Sequence, residues 1–292
     1  MKQKELKIRN FDICTNFTPY MIAEIGINHN GDLQIAKKLI DGANATGWNA
    51  VKFQKREPDI AVPEAQKSVM RDTPWGRMTY LEYKKHIEFG KNEYDYIDRY
   101  CREKPIDWSA SPWDMQSLEF LLQYDVPFIK IASATIVQDE LLKKAALSGK
   151  TIIMSTGMST WEEIDHAVDI LDKYADGGYV LMHTNSTYPA PDESLNLNMI
   201  KTLKERYRCL VGYSGHEQGL EPTVMACVLG ACVIERHITL DHDMWGTDQA
   251  ASLTLHAMDM LQRRIRNMKE ILGNGKRILS DEELKIKMKL RG

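Results

Sequence analysis

Eight short apolar runs, each followed by a helical stretch, predict an α/β chain closed as a (β/α)8 TIM barrel. The runs are apolar through their centres rather than alternating, as parallel strands covered on both faces must be. No GxGxxG-type turn follows the first run, which argues against an open doubly wound sheet. A chain of 292 residues is long enough to bury the core of one such barrel, and residues 1–292 are read as a single domain.

Taken in order, residues 1–19 have no helical partner and are expected to cap the barrel bottom as a strand or hairpin. The barrel strands are expected at Met21–Ile25, Ala50–Gln54, Ile106–Ala110, Phe128–Ala132, Thr151–Met154, Tyr179–His183, Leu210–Tyr213 and Cys232–Glu235. Helices such as Leu33–Thr46, Trp161–Tyr174 and Leu220–Leu229 lie between them. Residues 55–87 form the longest irregular connection, after strand two and on the face where such barrels place their active sites. Long loops there are usually lids or binding loops. Beyond the last barrel helix runs a short basic tail. No linker or low-complexity segment interrupts the pattern.

The formal net charge of −3 gives no reason to expect a nucleic-acid or membrane partner. No apolar run reaches the ~18 residues of a membrane span. Five scattered cysteines without a CxxC pair suit a reducing compartment. The start, Met1 to Glu5, is charged. A cytoplasmic protein acting on small molecules is expected.

In a (β/α)8 barrel, polar residues at the C-terminal strand ends converge at the mouth. This chain supplies Glu24, Lys52 with Gln54, Ser109 and Ser111, Lys130 with Ser133, Ser155, Tyr188, Ser214 with His216, and Glu235 with His237. Two lysines among serines suggest a phosphate or carboxylate ligand; the alternatives are lysines that reach to solvent, or a Schiff-base lysine. His216 and His237 end consecutive strands, so their imidazoles are expected to bind one divalent metal. His29, His183 and His242 are weaker candidates. Glu24 and Glu235 could do acid–base work or simply pair with the lysines. The turn Asn28-His29-Asn30-Gly31 is expected to face the same site.

These residues carry a family resemblance. Ala23-Glu24-Ile25-Gly26-Ile27-Asn28-His29-Asn30-Gly31 resembles the opening signature of the sialic acid synthases. The likeness continues through Val51-Lys52-Phe53-Gln54, Thr73-Pro74-Trp75-Gly76, Ile129-Lys130-Ile131-Ala132-Ser133 and Met154-Ser155-Thr156-Gly157-Met158. It ends with Gly212-Tyr213-Ser214-Gly215-His216, Glu235-Arg236-His237 and Gly246-Thr247-Asp248-Gln249, covering about residues 20–255.

The resemblance implies a metal-dependent condensation of phosphoenolpyruvate with a sugar aldehyde such as N-acetylmannosamine, giving a nonulosonic acid and phosphate. It places phosphoenolpyruvate on Lys52, Ser111, Lys130, Ser133, Ser155 and Ser214. Manganese or magnesium falls to His216 and His237, and the sugar to Gln54, Tyr188 and Asp248. Glu24 is expected to position the attacking water and Glu235 to assist the aldehyde oxygen, in roles that could be exchanged. The family habit also implies a homodimer. Three departures bear on the sugar side. The family's C-terminal antifreeze-like domain has no counterpart before Gly292, Gly215 stands where aspartate is frequent, and Ser186 where asparagine is. Acceptor recognition is then expected from the 55–87 loop or another chain. A synthase for a different aldose or sugar phosphate, and a non-catalytic sugar- or anion-binding barrel, are the other readings.

Overall fold

The computed structural model describes residues 6–15 and 17–291, so the first five residues of the expected cap segment, with Asn16 and Gly292, lie outside the described residues. The described chain opens with an antiparallel hairpin, β1 (Lys7–Ile8) and β2 (Phe11–Asp12). The first barrel strands are β3 (Tyr20–Gly26) and β4 (Ala50–Lys55). A second hairpin follows, β5 (Met70–Thr73) with β6 (Gly76–Thr79). Next come β7 (Asp107–Pro112), β8 (Phe128–Ile131), β9 (Thr151–Ser155) and β10 (Tyr179–Thr184). Then β11 (Leu210–Gly215) and β12 (Val233–Thr239) complete the barrel strands, and the two-residue β13 (Leu253–Thr254) pairs with the end of β12.

The eight barrel strands run parallel in the order β7-β4-β3-β12-β11-β10-β9-β8. The two outer strands meet at a seam, where the Ser109 hydroxyl of β7 donates to the Phe128 carbonyl of β8 at 2.6 Å. This corrects one expectation: Ser109 belongs to barrel closure and not to the mouth. The expected single irregular connection is also corrected. Residues 58–61 and 64–67 form helical turns, the second hairpin follows, and a helix spans Tyr80–Ile87. Each piece is too short to show a period, yet local signals exist. Thr79 and Glu82 cap the helix reciprocally, and Gly76 takes φ +110° at the hairpin turn. The expected tail folds as an exposed helix, Asp281–Arg291.

Side chains alternate across each strand, so every second residue faces the barrel interior. The lower interior is apolar: Tyr20, Ile22, Ala50, Phe128, Ile153, Val180, Met182 and Val233 pack as one cluster. Leu6, Ile8 and Ile13 of the N-terminal segment join it from below and shield it from water. Two positions further along the same strands the inward residues turn polar, which puts Glu24, Lys52 and Lys130 above a dry floor.

Candidate active site

The polar strand ends enclose a cavity of about 100 Å³. Glu24, Lys52, Gln54, Ser111, Lys130, Ser133, Ser155, Tyr188, Ser214, His216, Glu235 and His237 line it, together with Trp113, Met158, Thr184 and Ser186. A larger groove of about 720 Å³ lies between the loops around Pro189–Leu197 and Gln218–Met225. It is open, and its ionisable groups are Asp192 and Glu221, so no cation and no imidazole converge there. The chemistry resides in the smaller cavity.

Two ammonium groups sit at its base. Lys52 Nζ pairs with Glu24 Oε2 at 2.7 Å, donates to Ser111 Oγ at 2.9 Å and lies 3.8 Å from Glu235 Oε2. Lys130 Nζ donates to Ser155 Oγ at 2.7 Å and lies 3.7 Å from Glu235 Oε1. Glu235 thus stands between the lysines and also accepts from Ser214 Oγ at 3.2 Å. All of these groups are buried, so their fields are little screened by water. Burial pushes the Lys130 ammonium down to about 8 despite the neighbouring Glu235.

The two carboxylates shift in opposite directions. Burial raises Glu24, outweighing Lys52. For Glu235 burial acts the same way, but Lys130 and Lys52 together overcome it and hold the group below its usual range. Their neighbours differ as well. Glu24 Oε1 accepts from Gln54 Nε2 at 3.2 Å, away from Lys130, whereas Glu235 faces both lysines and Ser214. Gly26, at φ +56°, turns the chain just above Glu24. A Cβ there would stand 3.1 Å from Glu24 Oε1 and 3.3 Å from both Gln54 Nε2 and His237 Cε1, so only glycine leaves this corner open.

The imidazoles of His216 and His237 lie on the other wall, their ring centres 5.4 Å apart. His216 Nδ1 donates to the Asn185 carbonyl at 2.5 Å, which leaves Nε2 as the lone-pair nitrogen. Burial, and then His237, lower His216 to about 3, so the ring is neutral at physiological pH, as a metal ligand must be. His237 Nδ1 is buried without a hydrogen-bond partner, and Asp248 Oδ2 stands 3.7 Å from it. Among the described residues no three His, Cys, Asp or Glu side chains form a closed metal cage. The neutral His216 imidazole and the unsatisfied nitrogen of His237 fit a divalent cation that keeps its other positions for water or substrate. Tyr188 stacks on His216 with ring centres 4.0 Å apart and meets His237 edge-on at 5.6 Å.

Other expected positions fall elsewhere. Asn28 Nδ2 donates to the Ile238 carbonyl and Ser252 Oγ, and Asn30 Nδ2 to the Trp245 carbonyl. His29 stacks on Phe89 at 3.8 Å. Residues 28–30 therefore brace the loop after β12 and do not line the cavity. His183 is bonded to the Leu195 carbonyl and His242 to the Ser252 carbonyl, which occupies one nitrogen of each ring outside the cavity. Asp248 is placed beside His237, behind the cavity wall. The Ser133 hydroxyl accepts from the Gly157 amide at 3.0 Å. Sequence reasoning missed Thr184 and Trp113. Thr184 had a signal, since it continues the inward period of β10 one step past the expected strand end. Trp113 follows β7 in a turn and has no periodic signature.

A family model, that of the NeuB family, matches residues 39–277. An N-acetylneuraminate-9-phosphate synthase of Drosophila melanogaster is 38% identical over 253 residues, 86% of this chain and 68% of that protein. An N,N'-diacetyllegionaminic acid synthase of Legionella pneumophila is 33% identical over 283 residues, 95% of this chain and 80% of that protein. Among solved structures, the N-acetylneuraminic acid synthetase of Leptospira borgpetersenii, determined with citrate, superposes with a TM-score of 0.81 at 33% identity over 94% of each chain.

Proposed function

The chain belongs to the NeuB family of sialic and nonulosonic acid synthases, and from that premise we propose that it condenses phosphoenolpyruvate with the open-chain aldehyde of an N-acylated amino sugar. The products are a nonulosonic acid and inorganic phosphate. The observation that carries this reading is the convergence of two buried ammonium groups, two carboxylates whose proton affinities shift in opposite directions and two imidazoles on one cavity.

Each group has a task in that reaction. Lys52 and Lys130, with Ser111, Ser155, Ser214 and Ser133, form a cradle for the carboxylate and phosphate of phosphoenolpyruvate. A divalent cation, manganese or magnesium, held on His216 and His237 would supply Lewis acidity toward the aldehyde oxygen. Gln54 and Tyr188 border the space left for the sugar, and Asp248 stands behind His237. C3 of phosphoenolpyruvate attacks the aldehyde carbon, and the aldehyde oxygen takes up a proton to become a hydroxyl. Positive charge then develops at C2, beside the ionised Glu235. Water adds at C2 and loses a proton. The resulting hemiketal phosphate expels phosphate by C–O cleavage and leaves the ketone.

The two carboxylates divide this proton traffic. Glu24 binds a proton the more readily and adjoins Gln54 and His237, so it is read as the donor to the aldehyde oxygen. Glu235 is held ionised between the lysines, so it is read as the base for the water. This exchanges the roles expected from sequence. Phosphate release from phosphoenolpyruvate and N-acetylmannosamine, with and without manganese, tests the proposal. Activity should require both the sugar and the metal, and His237→Ala should abolish it. Full activity after exhaustive chelation would remove the metal from the mechanism.

A further inference from the structure

Beyond Gln54 the cavity wall continues into a cationic patch that the condensation chemistry does not use. Arg56 is buried, bonds to Gln54 Oε1 and lies over the Trp113 ring at 4.0 Å. Two further cations reach the same patch from the 55–87 segment. The Arg71 guanidinium of β5 sits 4.2 Å from the Tyr80 ring centre, and Lys84 Nζ of the Tyr80–Ile87 helix sits 5.2 Å from the rings of both Tyr80 and Tyr83.

The positive charge here exceeds the carboxylate charge that faces it: among the described residues, Arg56, Lys84, Arg71 and Lys55 have only Glu88 and Asp248 nearby. Lys84 is 7% exposed, yet it makes no hydrogen bond or ion pair among the described residues. Arg71 Nε is buried without an acceptor. Of the two carboxylates, Glu88 also accepts from Lys55 Nζ and the Arg56 amide, so Asp248 alone is left for the remaining cations. Buried cations short of counter-charge are unfavourable unless an anion arrives. Burial, with Arg56 beside it, lowers the Lys84 ammonium to about 7, which shows the same imbalance.

We propose that Arg56, Arg71 and Lys84 form a subsite for a phosphomonoester on the far end of the acceptor, so that this chain takes a sugar phosphate in preference to a neutral sugar. The inference rests on the condensation proposed above and names the substrate class for it. Planar guanidinium forks and an ammonium suit a dianionic phosphate. Gln54 connects the subsite to the sugar space, since it touches both Glu24 and Arg56. The relatives include both a 9-phosphate synthase and a legionaminic acid synthase, so membership of the family leaves this choice open.

The test compares N-acetylmannosamine with its 6-phosphate as acceptors, following phosphoenolpyruvate consumption by the full chain with manganese. The 6-phosphate should be favoured in kcat/KM by at least about 100-fold, as expected of a site left with unpaired buried charge by the neutral sugar. Arg71→Gln and Lys84→Met should each cut that ratio at least about tenfold, chiefly through KM for the phosphorylated sugar. Arg71 is only half-buried on a hairpin, so its variant serves even where Lys84→Met fails to fold. Equal efficiency on the two acceptors, or a ratio unmoved by Arg71→Gln, overturns the subsite. Calorimetric binding of the same two sugars needs no turnover. If neither sugar supports phosphoenolpyruvate consumption, the condensation reading fails. The subsite then stands only if the 6-phosphate binds at least about tenfold more tightly and Arg71→Gln removes the difference.

Discussion

Lys130 shows how a single side chain can set a pH limit. It is buried, and desolvation brings its ammonium down to about 8. Below that pH the group is cationic and holds an anion; above it the charge is lost and the cradle is left with Lys52. The log of kcat/KM for phosphoenolpyruvate, which reports the free enzyme, should therefore fall as pH rises through about 8. Lys130→Met should be slow at every pH and lack this limb, and a wild-type profile flat to pH 10 would contradict the assignment. At this scale much could be read from the chain. Glu24, Lys52, Lys130, Ser214 and Glu235 follow from two-residue periodicity once the strands are placed. What was not readable was direction of use. Ser109 has the right parity but spends its hydroxyl on the β7–β8 seam, and Asn28 spends its amide on the β12 loop. Such choices depend on which acceptor happens to be nearest.

The ends of β11 and β12 form a unit that the chain hides well. Arg236 precedes His237, Glu217 follows His216, and the two pair at 2.9 Å with both side chains fully buried. Arg236 also donates to Thr223 Oγ1 and to the Gly219 carbonyl. This clamp fixes the spacing of the two imidazoles from behind. It also explains Gly215: a Cβ there would come within 2.5 Å of Glu217 Oε2, so a larger side chain such as aspartate has no room. Glu217→Ala leaves a buried guanidinium unpaired and should cost about 3–5 kcal/mol, measured by urea unfolding. A loss below about 1 kcal/mol would show that water replaces the carboxylate. Gly157→Ala is a second test, aimed at the cradle. Its methyl would stand 2.3 Å from Ser186 Oγ and 2.9 Å from Ser133 Oγ, so KM for phosphoenolpyruvate should rise about tenfold or more with stability little changed. An unchanged KM would remove Ser133 from the cradle. The 55–87 segment was legible as a functional position but not as structure, because its helical turns and hairpin are each shorter than the periods that reveal helices and strands.

The whole molecule divides into a dry floor and a charged mouth. The floor is closed by the N-terminal hairpin, whose Ile8 is fully buried against the lower barrel cluster. Ile8→Ala should cost about 2–5 kcal/mol of stability, and thermal unfolding that is insensitive to it would show the hairpin to be dispensable. Barrel order and strand positions were readable because eight apolar runs leave few alternatives. Closure at the β7–β8 seam was not, since it depends on a side chain bridging two strands. The charged mouth carries the account's central claim, condensation at C3 of phosphoenolpyruvate with water entering at C2. Mass spectrometry of the products formed in ¹⁸O-water from phosphoenolpyruvate and the favoured acceptor tests it most directly. The account predicts a nonulosonic acid joining both carbon skeletons, and phosphate free of ¹⁸O because the C–O bond breaks. Pyruvate with ¹⁸O-labelled phosphate and no joined product would contradict it.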